Sequence, residues 1–153
     1  MTSPVNAYPD LVICYSVEQG QSESLRKRIE QITEGAADHG LSTFAHVRDV
    51  QGWEIGEIDY REAFAKVIER IRTARGVVLD LTSHAGAART GLSVEAGGAL
   101  ALGKPIIAIW RQPDRPEKIL SVASVSGGYE EGESLRKLTS MLICQLESEL
   151  ALV

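Results

Sequence analysis

The sequence predicts a single α/β domain with an open parallel sheet of four to five strands and helices on both faces. Two observations predict this class. Short apolar runs rich in β-branched residues alternate along the chain with segments of helical period. The length of 153 residues also suits one domain of ordinary size, which we place at 1–153 without an internal boundary.

The first part of the chain contains two predicted strands and a helix between them. Leu11–Tyr15 is a continuous apolar run, as expected for a strand that is buried on both faces. A helical stripe follows and ends near Gly40, a residue suited to the left-handed conformation after a helix. Ser42–Val47 is predicted to be the second strand, and 48–58 a loop. The helical stripe between these two strands consists of Leu25, Ile29, Ile32 and Ala36.

The central part repeats the alternation of helix and strand. Asp59 is predicted to begin a helix, because Glu62 three residues later completes the pattern of a capping box. Gly76–Asp80 is the third predicted strand, Ser93–Leu102 the next helix and Pro105–Trp110 the fourth strand.

The C-terminal part is predicted to contain one more strand and a closing helix. We predict the strand at Ile119–Val125, a turn at Gly127–Gly132 and a helix that starts at Ser134. The whole order implies right-handed crossovers in a flavodoxin-like or Rossmann-like sheet, whose ligands bind beyond the carboxyl ends of the strands. Site residues are therefore expected just after Tyr15, Val47, Asp80 and Trp110.

The charge balance and the cysteine and histidine content exclude several classes of protein. The formal net charge of −5 argues against partners such as polymeric nucleic acid or an anionic membrane. We see no secretory signal and no apolar run long enough to span a membrane, and we expect a cytoplasmic protein. Cys14 and Cys144 form no disulfide framework, and the three histidines lack metal-ligand spacing. We therefore expect no metal and no cofactor.

The most informative segment begins at Asp80, where an apolar strand ends in a carboxylate and a loop of small residues follows. Glu95 is predicted to lie in the first turn of the next helix, where the positive end of the helix dipole stabilises a carboxylate. Gly97 and Gly98 follow, and each costs about 1 kcal/mol relative to alanine in a helix. Close approach of another element or of a ligand would offset that cost. The residues alone are equally compatible with structural roles for both acids.

This segment resembles the nucleoside 2-deoxyribosyltransferase superfamily, and most closely its 2'-deoxynucleoside 5'-phosphate N-hydrolase branch. The similarity covers most of the chain in order, with its specific part between 80 and 110. The matching residues are Asp80, the loop 83–91, Glu95-Ala96-Gly97, Gly103-Lys104-Pro105 and Ile106–Trp110, together with Cys14-Tyr15-Ser16 and Ile119-Leu120-Ser121.

The resemblance implies cleavage of the N-glycosidic bond of a nucleoside or nucleotide, with Glu95 as the nucleophile and Asp80 as its catalytic partner. It implies a homodimer or larger homo-oligomer, in which Ser121 is donated to the neighbouring site. Glu18 stands where the hydrolases carry an arginine for the 5'-phosphate, which leaves Arg89 as the candidate replacement. The candidate substrate-binding residues are Ser16, Tyr15, Gly20, His84, Arg89, Ser93 and Ser121.

The sequence leaves other functions, and other roles for several residues, open. The alternatives to hydrolysis or transfer are a non-catalytic nucleotide-binding or sensing module and a TIR-like NAD hydrolase. Tyr15 and Trp53 are candidates either for stacking on a nucleobase or for packing. His46 faces either the pocket or the surface, and Cys14 is predicted to be a buried strand residue.

Overall fold

The computed structural model describes residues 8–54, 56–83 and 90–150. Its all-parallel sheet has five strands in the order β2-β1-β3-β4-β5, which confirms the predicted open α/β fold. The strands are β1 (Leu11–Cys14), β2 (Thr43–Phe44), β3 (Gly76–Asp80), β4 (Ile106–Arg111) and β5 (Val125–Tyr129). The helices are α1 (Ser22–Ala37), α2 (His46–Asp49), α3 (Tyr60–Thr73), α4 (Thr90–Ala101), α5 (Glu117–Leu120) and α6 (Leu135–Gln145).

Two apolar layers cover the sheet, one on each face. Leu11 and Ile13 of β1 face the layer that contains α1 and α6. Val12 and Cys14, the alternate residues, face the layer that contains α3 and α4. Burial on both faces explains why the inner strands have continuous apolar sequences rather than an alternating pattern. No helix in the described part of the chain is long and apolar enough to cross a membrane.

The strand order reverses next to β1. From β1 the chain first crosses to β2 at the edge, and it then returns past β1 to form β3 on the other side. Leu11 pairs with Thr43 of β2 and with Gly76 of β3. Helices α1 and α4, which follow β1 and β3 along the chain, therefore lie on opposite faces of the sheet, and a crevice is expected at the carboxyl edge between these two strands.

Helix α4 begins earlier than the sequence analysis predicts. It starts at Thr90 rather than Ser93, so Glu95 lies in the second turn, and the predicted first-turn position is wrong. The physical reason is Leu92, which is fully buried and extends the inner stripe of the helix by one turn. The helix dipole consequently acts on Glu95 more weakly than predicted, since its effect falls off after the first turn.

The last strand lies later than predicted. Of the predicted strand Ile119–Val125 only Val125 belongs to β5, and the Gly127-Gly128 pair, predicted to be a turn, lies inside that strand. A Cβ atom on Gly128 would lie 2.5 Å from Cη2 of Trp110, and one on Gly127 would lie 2.7 Å from Cδ1 of Leu138. Glycines occupy these positions because two large side chains rest directly on the strand backbone.

The starts of α3 and α6 are predicted more accurately than the second strand. The Asp59 carboxylate accepts a hydrogen bond from the Glu62 N–H at 3.2 Å and caps α3 as expected. Ser134 caps α6 in the same way. The predicted strand Ser42–Val47 is mostly absent, because the chain turns into α2 directly after β2.

Arg48 of α2 covers the outer edge of β2. Its Nη2 donates to the carbonyl oxygen of Thr43 at 2.8 Å and to Oδ2 of Asp49 at 2.9 Å. The first contact satisfies a backbone acceptor that no neighbouring strand pairs with, since β2 is the edge of the sheet.

Candidate active site

A cleft of about 380 Å³ opens at the carboxyl edge of β1, at the reversal of strand order. The residues just after β1 form one side of this cleft, and the N-terminal part of α3 forms another. Glu95 reaches into it from α4. The position after Tyr15 agrees with the place where the strand pattern predicts a ligand site.

Glu95 is a buried carboxyl group on the inner face of α4. Only 8% of the residue is exposed. Burial raises the pKa of its carboxyl group to about 7, while a hydrogen bond with the Cys14 side chain acts in the opposite direction. Protonated and ionised forms therefore coexist near neutral pH, and the ionised form has the charge needed to act as a nucleophile or to stabilise a cationic sugar.

Cys14 is the residue that contacts the Glu95 carboxylate from the sheet. It is fully buried, ends β1 and lies on the face of the sheet that α4 covers. Burial raises the pKa of its thiol, and the charge and hydrogen bond of Glu95 raise it further. Cys14 is thus a protonated donor to Glu95. Sequence analysis predicted its burial but not this contact.

Tyr15 and Ser16 line the same cleft as Glu95, so the structure brings these three predicted site residues together. The Tyr15 hydroxyl oxygen accepts a hydrogen bond from the Val47 N–H at 2.6 Å. Burial is the main reason that the pKa of Tyr15 is raised. Tyr15 therefore ties the end of β1 to α2 as an uncharged phenol.

An aromatic wall faces this cleft from α3. The rings of Tyr60 and Phe64 have centroids 6.3 Å apart and are tilted by 31°. Sequence analysis named neither residue as a candidate for the site. Their position at the start of the helix, above the carboxyl edge of the sheet, is the signal that would have identified them.

His46, the first residue of α2, lines the cleft, which is the pocket position among the alternatives that the sequence left open. Burial lowers the pKa of its imidazole, and the nearby charge of Lys66 lowers it further. Its Nδ1 is buried and has no hydrogen-bond partner among the described residues. The cleft therefore contains a neutral imidazole at neutral pH.

Asp80 faces the opposite side of the sheet. Its Oδ2 accepts a hydrogen bond from Arg28 Nε at 2.8 Å, and its Oδ1 accepts one from the Thr82 N–H at 3.1 Å. Arg28 belongs to α1, so the structure does not bring Asp80 and Glu95 together. Arg28 lies beside the apolar stripe of α1 in the sequence, and that position could have indicated a buried partner for an acid. Sequence analysis did not consider Arg28.

The remaining predicted residues lie outside this cleft or outside the described residues. Ser93 lies on the exposed side of α4 and lines a different groove, which faces α5. Ser121 follows α5 and is also exposed. Gly20 lies in the loop after β1 with a left-handed φ of 78°. His84 and Arg89 fall outside the described residues.

Trp53 packs against the core rather than lining the cleft. It lies beside the apolar layer of α1 and α6, and the Arg26 guanidinium is 4.8 Å from the centroid of its ring. Of the two aromatic residues proposed for stacking, only Tyr15 lies in the cleft. In the part of the chain that the structure describes, no group of three or more His, Cys, Asp or Glu residues is arranged to hold a metal ion.

The fold and the cleft together define an α/β protein with flavodoxin-like strand order and a buried acid at the switch point. No model of a known protein family matches the chain, and no curated protein matches it in sequence. Solved structures do match it. A 2-deoxyribosyltransferase from Bacillus psychrosaccharolyticus has a TM-score of 0.60 and 18% identity, over 84% of this chain and 89% of that chain.

Two further solved structures show how widely this fold is shared. A CMP N-glycosidase from Clostridium botulinum has a TM-score of 0.52 and 17% identity, over 84% of this chain and 97% of that chain. The rubredoxin oxygen:oxidoreductase of Desulfovibrio gigas has a TM-score of 0.58 and 12% identity, over 92% of this chain and 37% of that chain. At these identities the likeness establishes the fold, and the chemistry must be argued from the site.

Proposed function

We propose that this protein cleaves the N-glycosidic bond of a nucleoside or nucleotide, by hydrolysis or by transfer to a second base, with Glu95 as the nucleophile. The observation that carries the proposal is the buried Glu95 carboxyl group, which faces the cleft at the switch point and has a pKa of about 7. The similarity in fold to a 2-deoxyribosyltransferase and a CMP N-glycosidase supports it.

The proposed chemistry needs one ionised carboxylate below the sugar. As the bond between C1' and the base nitrogen breaks, its electron pair leaves with the base, and the base takes a proton from water. The sugar gains oxocarbenium character, and a Glu95 oxygen bonds to C1' to give a glycosyl ester. Water then attacks C1', loses a proton to the solvent and releases the carboxylate. A second base that attacks C1' in place of water completes transfer.

The neighbours of Glu95 have defined parts in this proposal. The Cys14 thiol holds the carboxylate in place by donating to it. Tyr60 and Phe64 offer aromatic surface to the base, and Ser16 and the neutral His46 supply polar groups. Asp80 stays a predicted catalytic residue without a contact to Glu95, and its bond to Arg28 supports a structural role instead.

The proposal includes a homodimer in which Ser121 completes the neighbouring site. Its support is the outer face of α4, where Val94 and Leu100 are 48% and 56% exposed. Glu95 is the single charged residue of this helix, so the outer face is uncharged. Mixing Glu95→Ala subunits with Ser121→Ala subunits tests it. Activity reappears in hybrid dimers if Ser121 acts across the interface, and stays absent if it acts within its own chain.

The experiment that tests the activity is base release from a panel of nucleosides, nucleoside 5'-monophosphates and NAD. We expect base release by the wild type and a loss of roughly a thousandfold or more in Glu95→Ala and Glu95→Gln. Glu117→Gln, which changes an exposed acid on α5, is the matched control and should keep full activity.

Two results would overturn the proposal. A ligand that raises the melting temperature without any base release would favour a binding or sensing module, with stabilisation that grows with ligand concentration. Release of nicotinamide from NAD alone would favour a TIR-like hydrolase.

A further inference from the structure

We infer that the substrate of this cleft is an uncharged nucleoside rather than a nucleoside 5'-phosphate. This inference rests on the proposed function and narrows its substrate class. It follows from the charges that the described residues place in and around the cleft.

The cleft carries a carboxylate and no cation among its described lining residues. The polar groups that line it are Tyr15, Ser16, His46, Gln51 and Glu95, and the other lining residues are apolar, aromatic or glycine. A phosphate dianion that leaves water needs arginine, lysine or several N–H donors to replace its hydration. These lining side chains supply hydroxyl, amide and imidazole groups, which suit the hydroxyl groups of a sugar and the edge of a base.

Among the described residues, the arginines near the carboxyl edge are already paired with carboxylates. Lys66, whose charge acts on His46, is paired with Glu62 at 3.2 Å. Recruiting one of them to a phosphate would leave its acid without its partner, which is costly for a buried acid such as Asp80. The pairs are Arg28 with Asp80 at 2.8 Å, Arg48 with Asp49 at 2.9 Å and Arg111 with Glu131 at 3.4 Å.

Glu95 itself disfavours a second negative charge. The proposed reaction needs its ionised form, and a phosphate in the same cleft would repel that form in a region of low dielectric constant. Binding of a phosphate would also favour protonation of Glu95, which removes the nucleophile. An uncharged nucleoside has neither effect.

The size and surface of the cleft suit such a ligand. About 380 Å³ lies at the lower end of the range for small-molecule sites. Tyr60 and Phe64 provide aromatic surface for the base, while the buried Glu95 marks the end at which the sugar carbon must lie. A nucleoside fills both parts without a third, phosphate-binding subsite.

The test compares kcat/KM for each nucleoside with that for its own 5'-monophosphate, using the wild-type protein. We expect a preference for the nucleoside of at least about a hundredfold, since an unpaired charge must otherwise be buried. Inorganic phosphate should not compete, and added salt should leave kcat/KM for the nucleoside unchanged. Arg89→Ala should keep the wild-type preference for the nucleoside over its monophosphate. Arg89→Gln, which removes the same charge but keeps a polar side chain, should keep it too.

The outcomes separate this inference from the proposed function. Base release mainly from monophosphates, or competition by inorganic phosphate, overturns the inference and leaves the proposed function standing. The inference is also overturned if the wild type prefers monophosphates and Arg89→Ala loses the ability to cleave them. If no base is released at all, the proposed function fails. Binding by calorimetry then decides the inference, which requires the nucleoside to bind more tightly than its monophosphate.

Discussion

Arg28 and Asp80 form a buried ion pair between α1 and the end of β3, with 2.8 Å between Arg28 Nε and Asp80 Oδ2. The pair lies on the face of the sheet opposite Glu95. It fixes the end of the strand from which the chain leaves toward α4. Asp80 therefore faces α1, whereas Glu95 faces the cleft.

Removing one partner of this pair should destabilise the fold. Arg28→Met leaves the Asp80 carboxylate buried without its guanidinium, and we expect a loss of about 3–5 kcal/mol in the free energy of unfolding. Urea denaturation followed by circular dichroism measures it. Arg28→Met combined with Asp80→Leu should recover most of the loss, because it removes the unpaired charge as well. An Asp80→Asn variant with full stability and no activity would instead assign Asp80 to the reaction.

Glu95→Gln should make the protein more stable at neutral and alkaline pH. The folded-state pKa of about 7 lies above the ordinary value of 4.5, so the folded protein holds a proton that the unfolded chain releases. Stability therefore falls as pH rises from about 4.5 to 7 and levels off above that. The gain for Glu95→Gln at pH 8 should be about 3 kcal/mol, from roughly 1.4 kcal/mol per pKa unit.

Unfolding free energies of the wild type and Glu95→Gln, measured across this pH window, provide the check. The two curves should converge below pH 4.5 and separate above it. Curves that stay parallel would show that Glu95 has the same pKa in the folded and unfolded states, so that its burial does not shift that pKa. The exposed Glu117→Gln variant should follow the wild type at every pH.

If Glu95 is the nucleophile as proposed, the rate of base release should increase with pH and level off above about 7, because only the ionised carboxylate can attack. Cys14→Ala removes a hydrogen bond that favours this form, and it should move the midpoint of the kcat/KM profile upward by about half a pH unit. Cys14→Ser keeps a donor and should restore the wild-type midpoint. Tyr15, which also lies close to Glu95, stays uncharged across this range.

A midpoint that does not move in Cys14→Ala would contradict the role of the thiol as a donor. A uniform fall in activity without a shift would show that the residue acts by packing alone. The comparison of alanine with serine separates these cases, since both variants remove the sulfur atom.

Two glycine substitutions should have opposite effects on stability. Gly97 lies on the open side of α4, with no described atom within 4 Å of the position that a methyl group would occupy. Within a single subunit, Gly97→Ala should therefore stabilise the helix by up to about 1 kcal/mol. Gly128→Ala would press a methyl group against the rigid ring of Trp110 and should cost about 1–3 kcal/mol. Thermal unfolding measures both.

The Gly97 result also bears on assembly. A Gly97→Ala variant that loses stability or dissociates on a sizing column would show that a second subunit packs against this face of α4. A variant that gains stability with no change in its elution volume would count against a subunit interface at this face, and so against the support given for the proposed homodimer.

Much of the fold could be predicted because local patterns agree with the global arrangement. The inner strands are buried on both faces and show it as continuous apolar runs, and the caps at Asp59 and Ser134 mark two helix starts. β5 was misplaced because its glycines are a tertiary requirement. The side chains of Leu138 and Trp110, which rest on Gly127 and Gly128, explain why glycines stand there. Both lie elsewhere in the sequence, so no local pattern contains these contacts.

The site was predictable in part, for a related reason. Glu95, Tyr15 and Ser16 were predicted as site residues and line the cleft together, at the edge of the sheet that the rule for parallel sheets predicts. The contact between Cys14 and Glu95 depends on which face of β1 meets α4, and that follows from the packing of two layers. Arg28 resembles any helix-surface arginine in sequence, since only the fold shows that Asp80 lies against it.

The short edge strand β2 has a consequence for behaviour at high protein concentration. Edge strands with free backbone groups can pair with strands of other molecules and begin aggregation. Here only two residues pair in β2, and Arg48 both occupies the outward carbonyl of Thr43 and brings a charge to that edge. A strand from another molecule would have to displace the guanidinium and leave Asp49 without its partner. This side of the sheet is thereby closed to edge-to-edge growth.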